Sequence, residues 1–250
     1  MIQIKNAEQI SLMKKAGRIT GEALILGGEA VKEGVSTYHI DSIIRQHIEK
    51  CGAKPSFLGY GGFPGSACIS INDEVIHGIP SRHRILKQGD IVKIDVGAFY
   101  RGFHGDSANT FAVGSASPEA MRLIEVTRAS FEAGAAQIMP GARIGDVGAA
   151  VEAYVKKFGY NVVRRYVGHG VGHELHEQPD VPNYGTPGRG VRLLAGMTIA
   201  LEPMVCQGTG EVRELNDEWT VVTGDGKLSA HYEHTIAVTS DGPIFLTKVD

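Results

Sequence analysis

An internal repeat with an offset of 107 residues limits the architectures that this sequence can adopt. Adding 107 to Gly34 and Gly52 gives Gly141 and Gly159. The same offset maps one apolar series onto another, Ile40, Ile44 and Ile48 onto Val147, Val151 and Val155. Apolar residues at steps of four are typical of the buried face of a helix. The repeat therefore predicts a fold built from two similar units.

The repeat extends beyond the helices into strand-like segments. The offset of 107 maps Gly89 onto Gly196, Ile94 onto Leu201 and Asp95 onto Glu202. Two amphipathic helices can be aligned by sliding, whereas a single shift that aligns helix, glycine and carboxylate is much more specific. Further on, residues 110–113 resemble residues 235–238 at an offset of 125, so the second copy has a longer connection within residues 206–230.

Hydrophobic periodicity predicts the elements of each unit. The first unit has helices at about residues 7–31 and 40–52, and strands at 91–96 and 107–113 that are joined as a hairpin or a bent ribbon. The second unit starts with Ser117 as the N-cap of a helix and Pro118 at its first position. Another helix follows through residues 147–158.

The length of 250 residues lies between one and two typical domains. Because of the repeat, we expect a single catalytic domain over residues 1–250, with copies at approximately 7–113 and 117–240. Hydrophobic residues at 42% and a mean hydropathy of -0.07 are ordinary for a globular chain. Disordered, collagen-like and membrane-spanning classes are excluded.

Charge and cysteine content restrict partners and compartment. The net charge is -3 and no stretch concentrates lysine and arginine, so specific binding to nucleic acid is not expected. The three cysteines, Cys51, Cys68 and Cys206, fit neither a disulfide framework nor a zinc ribbon. The N-terminus has no signal-peptide pattern. We therefore expect a cytoplasmic protein that does not bind membranes.

Four carboxylates lie within predicted strands or at their ends: Asp95, Asp106, Glu202 and Glu233. Asp95 and Glu202 interrupt apolar runs, and burial of an unpaired charge is costly. An arginine could neutralise one of them, but four in a duplicated chain repel one another unless protons or metal ions intervene. Metal ions are the stronger candidate.

The histidines add nitrogen donors but match no simple motif. His173 and His176 are three residues apart, whereas a zincin helix requires four, and the glycines of residues 168–172 do not fit a dinucleotide fingerprint. Carboxylates with one or two imidazoles suit Mn, Fe, Co or Zn. We expect His39, His47 and His83 to be solvated and His234 to point away from the cluster. His104 and His231 lie close to carboxylates in the sequence, which leaves open a supporting role beside the metal ligands. Spacing alone does not assign a role to His77.

Seven segments together resemble the type I methionine aminopeptidases, which have the pita-bread metallopeptidase fold. These segments are Gly59–Pro64, Asn72–Pro80, Lys93–Gly97, Gly102–Ser107, Gly168–Gly172, Leu201–Met204 and Glu233–Thr235. The resemblance covers nearly the whole chain. It implies an α+β fold in which two pseudo-symmetric halves share a central curved antiparallel sheet with helices on its outer face.

The resemblance also implies two divalent metal ions, Mn, Co, Fe or Zn, and a role for each ligand. Asp95 would bind one ion, His169 and Glu202 the other, and Asp106 and Glu233 would bridge them. A water activated by both ions would be the nucleophile, and Glu202 would transfer its proton to the leaving amine. By the same resemblance, His77 would contact the scissile peptide and His176 would stabilise the tetrahedral oxygen.

The resemblance also implies that a set of mostly apolar residues surrounds the methionine side chain of the substrate and determines substrate choice. These are Phe57, Tyr60, Phe63, Cys68, Leu175 and Trp219. Aromatic rings and sulfur suit a flexible thioether. The implied activity is removal of the initiator methionine from nascent polypeptides whose second residue is small, by a minimal enzyme of bacterial style.

Two alternatives to this activity remain on the sequence alone. The five ligands are shared with prolidases and aminopeptidase P, so an Xaa-Pro peptidase is the nearest competitor, and a non-catalytic peptide-binding protein is the other. The expected partners are nascent N-termini and, transiently, the ribosome. A monomer is expected.

Overall fold

The computed structural model describes residues 2–249. This part of the chain contains four α-helices, which are α1 (Ala7–Glu29), α2 (Thr37–Lys50), α3 (Pro118–Ala135) and α4 (Ile144–Lys156). Its strands are β1 (Lys54–Pro55), β2 (Ala67–Ile71), β3 (Glu74–Ile76), β4 (Ile91–Tyr100), β5 (Phe103–Ala112), β6 (Asn161–Val162), β7 (Gly168–Gly170), β8 (Glu177–Val181), β9 (Thr198–Leu201), β10 (Met204–Cys206), β11 (Val212–Glu214), β12 (Val221–Thr223), β13 (Ser229–His231), β14 (His234–Thr239) and β15 (Gly242–Phe245).

The helices begin where the sequence supplies hydrogen-bond acceptors for their free N–H groups. Asn6 and Gln9 form a capping box at the start of α1. Ser117 caps α3 by accepting from the N–H of Ala120, and Pro118 occupies the first position, as predicted. The helix pairs thus have the order that the repeat predicts, with α1 and α2 before the first strands and α3 and α4 before the second set.

All strand pairs are antiparallel in the described part of the chain. The predicted hairpin is β4 and β5, which pair from Ile91 opposite Ala112 to Tyr100 opposite Phe103. Its two-residue turn, Arg101 and Gly102, has φ of 49° and 89°. Positive φ at both central positions is the turn geometry that matches the twist of a hairpin.

Three glycine pairs that the offset of 107 matches have the same left-handed conformation. The φ values are 80° and 94° for Gly34 and Gly141, 72° and 75° for Gly52 and Gly159, and 89° and 92° for Gly89 and Gly196. Left-handed backbone strongly favours glycine. The matched glycines therefore occupy equivalent turns, and the extra length of the second half, residues 206–230, holds β11 and β12.

Backbone hydrogen bonds join a sheet of the first half to a sheet of the second half. β4 pairs with β1, β2 and β5, and β9 lies between β14 and β7 in the larger sheet of the second half. The main chains of Ala108 and Glu233 join these sheets, because each N–H donates to the carbonyl of the other residue, at 3.4 and 2.9 Å. Residues 125 positions apart are thereby fixed side by side.

Helices α1 and α2 pack against the sheet of the first half, and α3 packs against β9, β10 and β13 of the second. Thr20 of α1 donates its hydroxyl to the carbonyl of Gly105 at 3.2 Å. A Cβ on Gly105 would lie 2.7 Å from the Cα of Gly17, so the absence of a side chain lets α1 approach β5 closely. Separate apolar cores form around Ile40 and Ile94 in the first half and around Val151 and Leu201 in the second. The inner face of the sheet is left for the functional side chains.

Candidate active site

Each half places two carboxylates on the inner face of the sheet. Asp95 lies on β4 and Asp106 on the neighbouring β5. Asp106 is paired with Gly97, which is two residues from Asp95 along β4. Glu202 directly follows β9, and Glu233 directly precedes β14. β9 and β14 are paired with Leu201 opposite His234, which brings the last two carboxylates together.

The four carboxylates line a cavity of about 210 Å³. His169 of β7 also lines it, together with both further predicted catalytic residues, His77 and His176. The structure thus brings all the predicted catalytic and metal-ligating side chains into one cavity. The predicted substrate-binding residues line the same cavity, namely Phe57, Tyr60, Phe63, Cys68, Leu175 and Trp219.

The geometry around His169 suits a metal ion. Its Nε2 lies 3.5 Å from the Glu202 Oε1 and 3.7 Å from the Asp106 Oδ2. Asp106, His169 and Glu233 each have a ligand atom within 4.8 Å of those of the other two. The Nδ1 of His169 lies 2.8 Å from the Gly170 carbonyl, which orients the ring with Nε2 towards the carboxylates.

Three carboxylate oxygens in this cluster are buried without a hydrogen-bond partner in residues 2–249. They are Asp95 Oδ1, Asp106 Oδ1 and Glu233 Oε1. Buried polar atoms in proteins are nearly always paired, so these oxygens require a cation or a proton. Oxygen and imidazole donors in this arrangement fit divalent Mn, Fe, Co or Zn.

Burial and mutual repulsion raise the pKa of every carboxyl in the cluster. Burial raises the pKa of Asp95 to about 7. Burial and the neighbouring carboxylates raise the pKa of Asp106 and Glu233 well above the usual range, as burial and Asp95 do for Glu202. Asp95 and Glu202 are slightly more exposed than predicted, because they face the cavity. A bound cation would reverse these shifts.

The histidines of the cavity are neutral at physiological pH. Burial lowers the pKa of His169 to about 3 and that of His77 to about 4, and it also lowers the pKa of His176. A metal ligand must present a free imidazole lone pair. The neutral state of His169 therefore suits coordination, while neutral His77 and His176 can donate a hydrogen bond to substrate without carrying charge.

His77 has a left-handed backbone conformation, with φ of 59°. It directly follows β3, and the next N–H, that of Gly78, donates to the Ser70 hydroxyl at 3.0 Å. Its ring contacts Trp219 edge-on, with centroids 6.3 Å apart. Unfavourable backbone geometry in a non-glycine residue is concentrated at functional sites. The surrounding structure thus holds this imidazole at the cavity wall.

The apolar end of the cavity is a small cluster of buried side chains: Phe57, Phe63, Cys68 and Leu175. Trp219 packs on this cluster and contacts Phe63 edge-on, with ring centroids 5.1 Å apart. Burial and the nearby carboxylates raise the pKa of the Cys68 thiol well above its usual value, so it stays uncharged. The pocket therefore offers rings and sulfur to a flexible apolar side chain.

Three residues that line the cavity were not predicted from the sequence: Ile76, Tyr166 and Val167. His231, whose supporting role the sequence left open, places its Nε2 3.8 Å from the Glu202 Oε2. Both ring nitrogens of His231 are buried without a hydrogen bond in the described residues. Proximity of His231 to Glu233 in the sequence was a weak signal for it, whereas nothing distinguishes the other three.

The remaining histidines divide into confirmed and wrong expectations. His39 and His83 are exposed, as predicted. His234 points away from the cluster and bonds to Thr247 and Tyr232. His104 contacts the Ser56 hydroxyl at 2.8 Å, instead of a carboxylate. The prediction for His47 was wrong, because α1 covers it and leaves its side chain only 20% exposed.

Comparisons with known proteins find metallopeptidases that match nearly the whole chain. The model of metallopeptidase family M24 matches residues 11–240. A curated methionine aminopeptidase of Clostridium acetobutylicum is 53% identical over 247 residues, covering 99% of each chain. Methionine aminopeptidase 1 of Bacillus subtilis is 48% identical over 249 residues, covering all of each chain.

Solved structures of a methionine aminopeptidase and a prolidase superpose on this chain. The methionine aminopeptidase of Thermotoga maritima superposes with a TM-score of 0.98 at 45% identity and covers 100% of both chains. Prolidase from Pyrococcus furiosus gives a TM-score of 0.80 at 26% identity, and this chain matches only 66% of it. These matches confirm the predicted α+β pita-bread fold.

Proposed function

The chain belongs to metallopeptidase family M24, and on that basis we propose that it is a methionine aminopeptidase that removes the initiator methionine from nascent polypeptides. The observation that carries this proposal is a cavity that joins five candidate metal ligands to an apolar, sulfur-containing pocket. The full-length identity with methionine aminopeptidases supports it over an Xaa-Pro activity.

We propose the assignment of metal ligands that the family resemblance implies, and the closeness of His169 to Glu202, Asp106 and Glu233 supports it. Asp95 would hold one divalent ion, His169 and Glu202 a second, and Asp106 and Glu233 both. Four carboxyl groups supply enough negative charge for two divalent ions, and their three unpaired buried oxygens fit this use. When bound, such ions act as Lewis acids towards a carbonyl and lower the pKa of water.

Glu202 is the proton carrier of the proposed reaction. Its carboxyl faces both the Nε2 of His169 and the open cavity. A carboxylate within hydrogen-bond reach of the reacting groups can act first as a general base and then as a general acid. Glu202 can therefore accept the proton of the attacking water and deliver it to the leaving amine.

His176 is the donor to the oxygen of the tetrahedral intermediate. The hydroxyl of Tyr60 lies 2.7 Å from its Nδ1. Burial raises the pKa of this phenol, so it keeps its proton and can donate it to Nδ1. A neutral ring that accepts at Nδ1 carries its own proton on Nε2. Tyr60 thereby sets the tautomer that His176 needs, and His77 is placed to contact the scissile peptide.

The size of the pocket explains the substrate class. The apolar wall formed by Phe57, Phe63 and Leu175 suits one unbranched methionine side chain, and the less buried Trp219 and Tyr60 line the same cavity. By the family resemblance, we propose that the second residue of the substrate is small. We further propose that residues 1–250 form a single catalytic domain of two similar halves.

Cellular context follows from the proposed substrate. No helix within residues 2–249 is long and apolar enough to cross a bilayer. We propose that the enzyme works as a monomer in the cytoplasm, where nascent N-termini emerge, and that it contacts the ribosome transiently.

A peptide assay tests the function. We expect release of methionine from Met-Ala-Ser but not from Met-Lys-Ser, dependent on Mn or Co and abolished by a chelator. Glu202→Gln should lose nearly all of the activity, while Glu211→Gln, at an exposed position, should keep it. Metal-dependent cleavage of Ala-Pro peptides without cleavage of Met-Ala-Ser would instead identify an Xaa-Pro peptidase, and cleavage of neither would contradict the proposal.

A further inference from the structure

A second group of metal-binding side chains lies between the first two helices. Glu22 is on α1, His47 is in the last turn of α2, and Cys51 directly follows α2. One ligand atom from each lies within 4.8 Å of those of the other two. The three residues are separate from those that line the active-site cavity.

The distances from His47 match a tetrahedral zinc ion. The Nε2 of His47 lies 3.6 Å from the Sγ of Cys51 and 3.3 Å from the Oε2 of Glu22. Zinc bonds of about 2.3 Å to sulfur and about 2.0 Å to nitrogen and oxygen, at tetrahedral angles, separate these donor pairs by roughly 3.6 and 3.3 Å. Both donor pairs that include His47 thus have the spacing that one zinc ion requires, and the Cys51 and Glu22 ligand atoms lie within 4.8 Å of each other.

Hydrogen bonding alone explains this arrangement poorly. A ring nitrogen carries either one proton or one lone pair, so Nε2 cannot make a linear hydrogen bond to both the thiol and the carboxylate. A metal ion placed between the three donors satisfies all of them at once.

The surroundings hold the ligands in place. The guanidinium of Arg18 donates to the Glu22 Oε1 at 2.8 Å, which leaves Oε2 to face His47. His47 and Cys51 are four positions apart, so the helical geometry of α2 puts them on one face. The side chains of His47 and Glu22 are 20% and 28% exposed, which restricts their movement but leaves a path for an ion.

We propose that Glu22, His47 and Cys51 bind a zinc ion that links α1 to α2, with a fourth coordination position open to water. A thiolate with an imidazole and a carboxylate suits zinc and is unlike the all-oxygen sites of Mg or Ca. Burial and the charge of Glu22 raise the pKa of the Cys51 thiol. Formation of the zinc–sulfur bond therefore releases the thiol proton to solvent.

Thiol alkylation of the whole protein tests this site without using enzymatic activity. Cys51 is partly exposed, whereas Cys68 and Cys206 are buried, so iodoacetamide on the native protein reports on Cys51. With free zinc at about ten times the dissociation constant, labelling of Cys51 should slow about tenfold, because only the metal-free thiol reacts. Mass spectrometry of the peptide that contains Cys51 measures the rate.

Variants separate the proposed site from other effects of zinc. Glu22→Gln and His47→Gln should each remove most of the protection, while His39→Gln, at an exposed position of the same helix, should retain it. Zinc in the active site cannot protect Cys51, since its five proposed ligands are elsewhere. Failure of this test therefore leaves the proposed peptidase function untouched.

Cobalt gives an independent spectroscopic measurement. A sulfur-to-cobalt charge-transfer band should appear with Co²⁺, disappear in Cys51→Ser and persist in Cys206→Ser. The five proposed active-site ligands offer only oxygen and nitrogen, so they cannot produce this band. A Cys51 labelling rate that zinc does not change, or a band that Cys51→Ser leaves intact, would overturn the proposal and leave a contact between His47 and Glu22 without a metal ion.

Discussion

Replacement of Asp95 by asparagine should make the metal-free protein more stable at alkaline pH, although the same change removes a proposed metal ligand. The Asp95 Oδ1 is buried without a hydrogen-bond donor in residues 2–249. In the metal-free fold, burial raises the pKa of this carboxyl from 3.8 to about 7. The folded protein therefore holds its proton more tightly than the unfolded chain does.

The size of the effect follows from linkage between protonation and folding. The folded state binds the proton between pH 4 and pH 7 and the unfolded state does not, so stability falls as the pH rises through this range. Raising the pKa from 3.8 to about 7 corresponds to about 4 kcal/mol, of which about 3 kcal/mol is lost between pH 5 and pH 8. Asparagine cannot ionise and is free of this loss.

Urea unfolding in the presence of a chelator measures the difference. The free energy of unfolding of Asp95→Asn relative to the native sequence should increase by about 3 kcal/mol from pH 5 to pH 8. With saturating Mn²⁺ the order should reverse, because the native protein gains the binding energy of the ion. Asp180→Asn, at an exposed position of β8, is the matched control and should change little at either pH. A difference between Asp95→Asn and the native protein that does not vary with pH would refute the reasoning.

Three further variants test other contacts. Tyr60→Phe loses the 2.7 Å contact with the Nδ1 of His176. We expect kcat to fall about fivefold, equivalent to about 1 kcal/mol, with no change in Tm. An unchanged kcat would contradict the argument that Tyr60 sets the tautomer of His176. Leu175→Ala creates a cavity at a fully buried position of the pocket wall. The free energy of unfolding measured in urea should fall by about 2–4 kcal/mol, and KM for methionyl peptides should rise. Unaltered stability would contradict this. Gly105→Ala places a methyl group 2.7 Å from the Cα of Gly17, so the free energy of unfolding should fall by about 1–3 kcal/mol, and a neutral result would show that α1 can shift freely.

Much of the fold was accessible from periodicity and residue type. The predicted hairpin at residues 91–113 is β4 and β5, and Ser117 and Pro118 begin α3 as expected. The glycines at the matched positions have left-handed backbones because few other residues tolerate that conformation. These features depend on local interactions, so a linear pattern is enough to predict them.

The sequence was less informative where a contact depends on how elements pack. His47 is on a polar stretch of α2 and was expected to be solvated, yet α1 covers it and brings Glu22 to 3.3 Å. Tyr166 and Ile76 line the cavity without any motif of their own. A position on one helix or strand does not reveal which residue of another element lies against it.

By itself, the sequence determined the set of chemical groups and the order of the elements. Asp95 and Glu202 stand at equivalent positions of a repeat, and five ligands in the order Asp, Asp, His, Glu and Glu resemble those of this metallopeptidase family. Only the tertiary structure decided that these groups meet. The reciprocal backbone bonds of Ala108 and Glu233 join the two halves, and the pairing of β9 with β14 sets the facing carboxylates. Such contacts between distant residues arise from the packing of whole sheets, which no local pattern encodes.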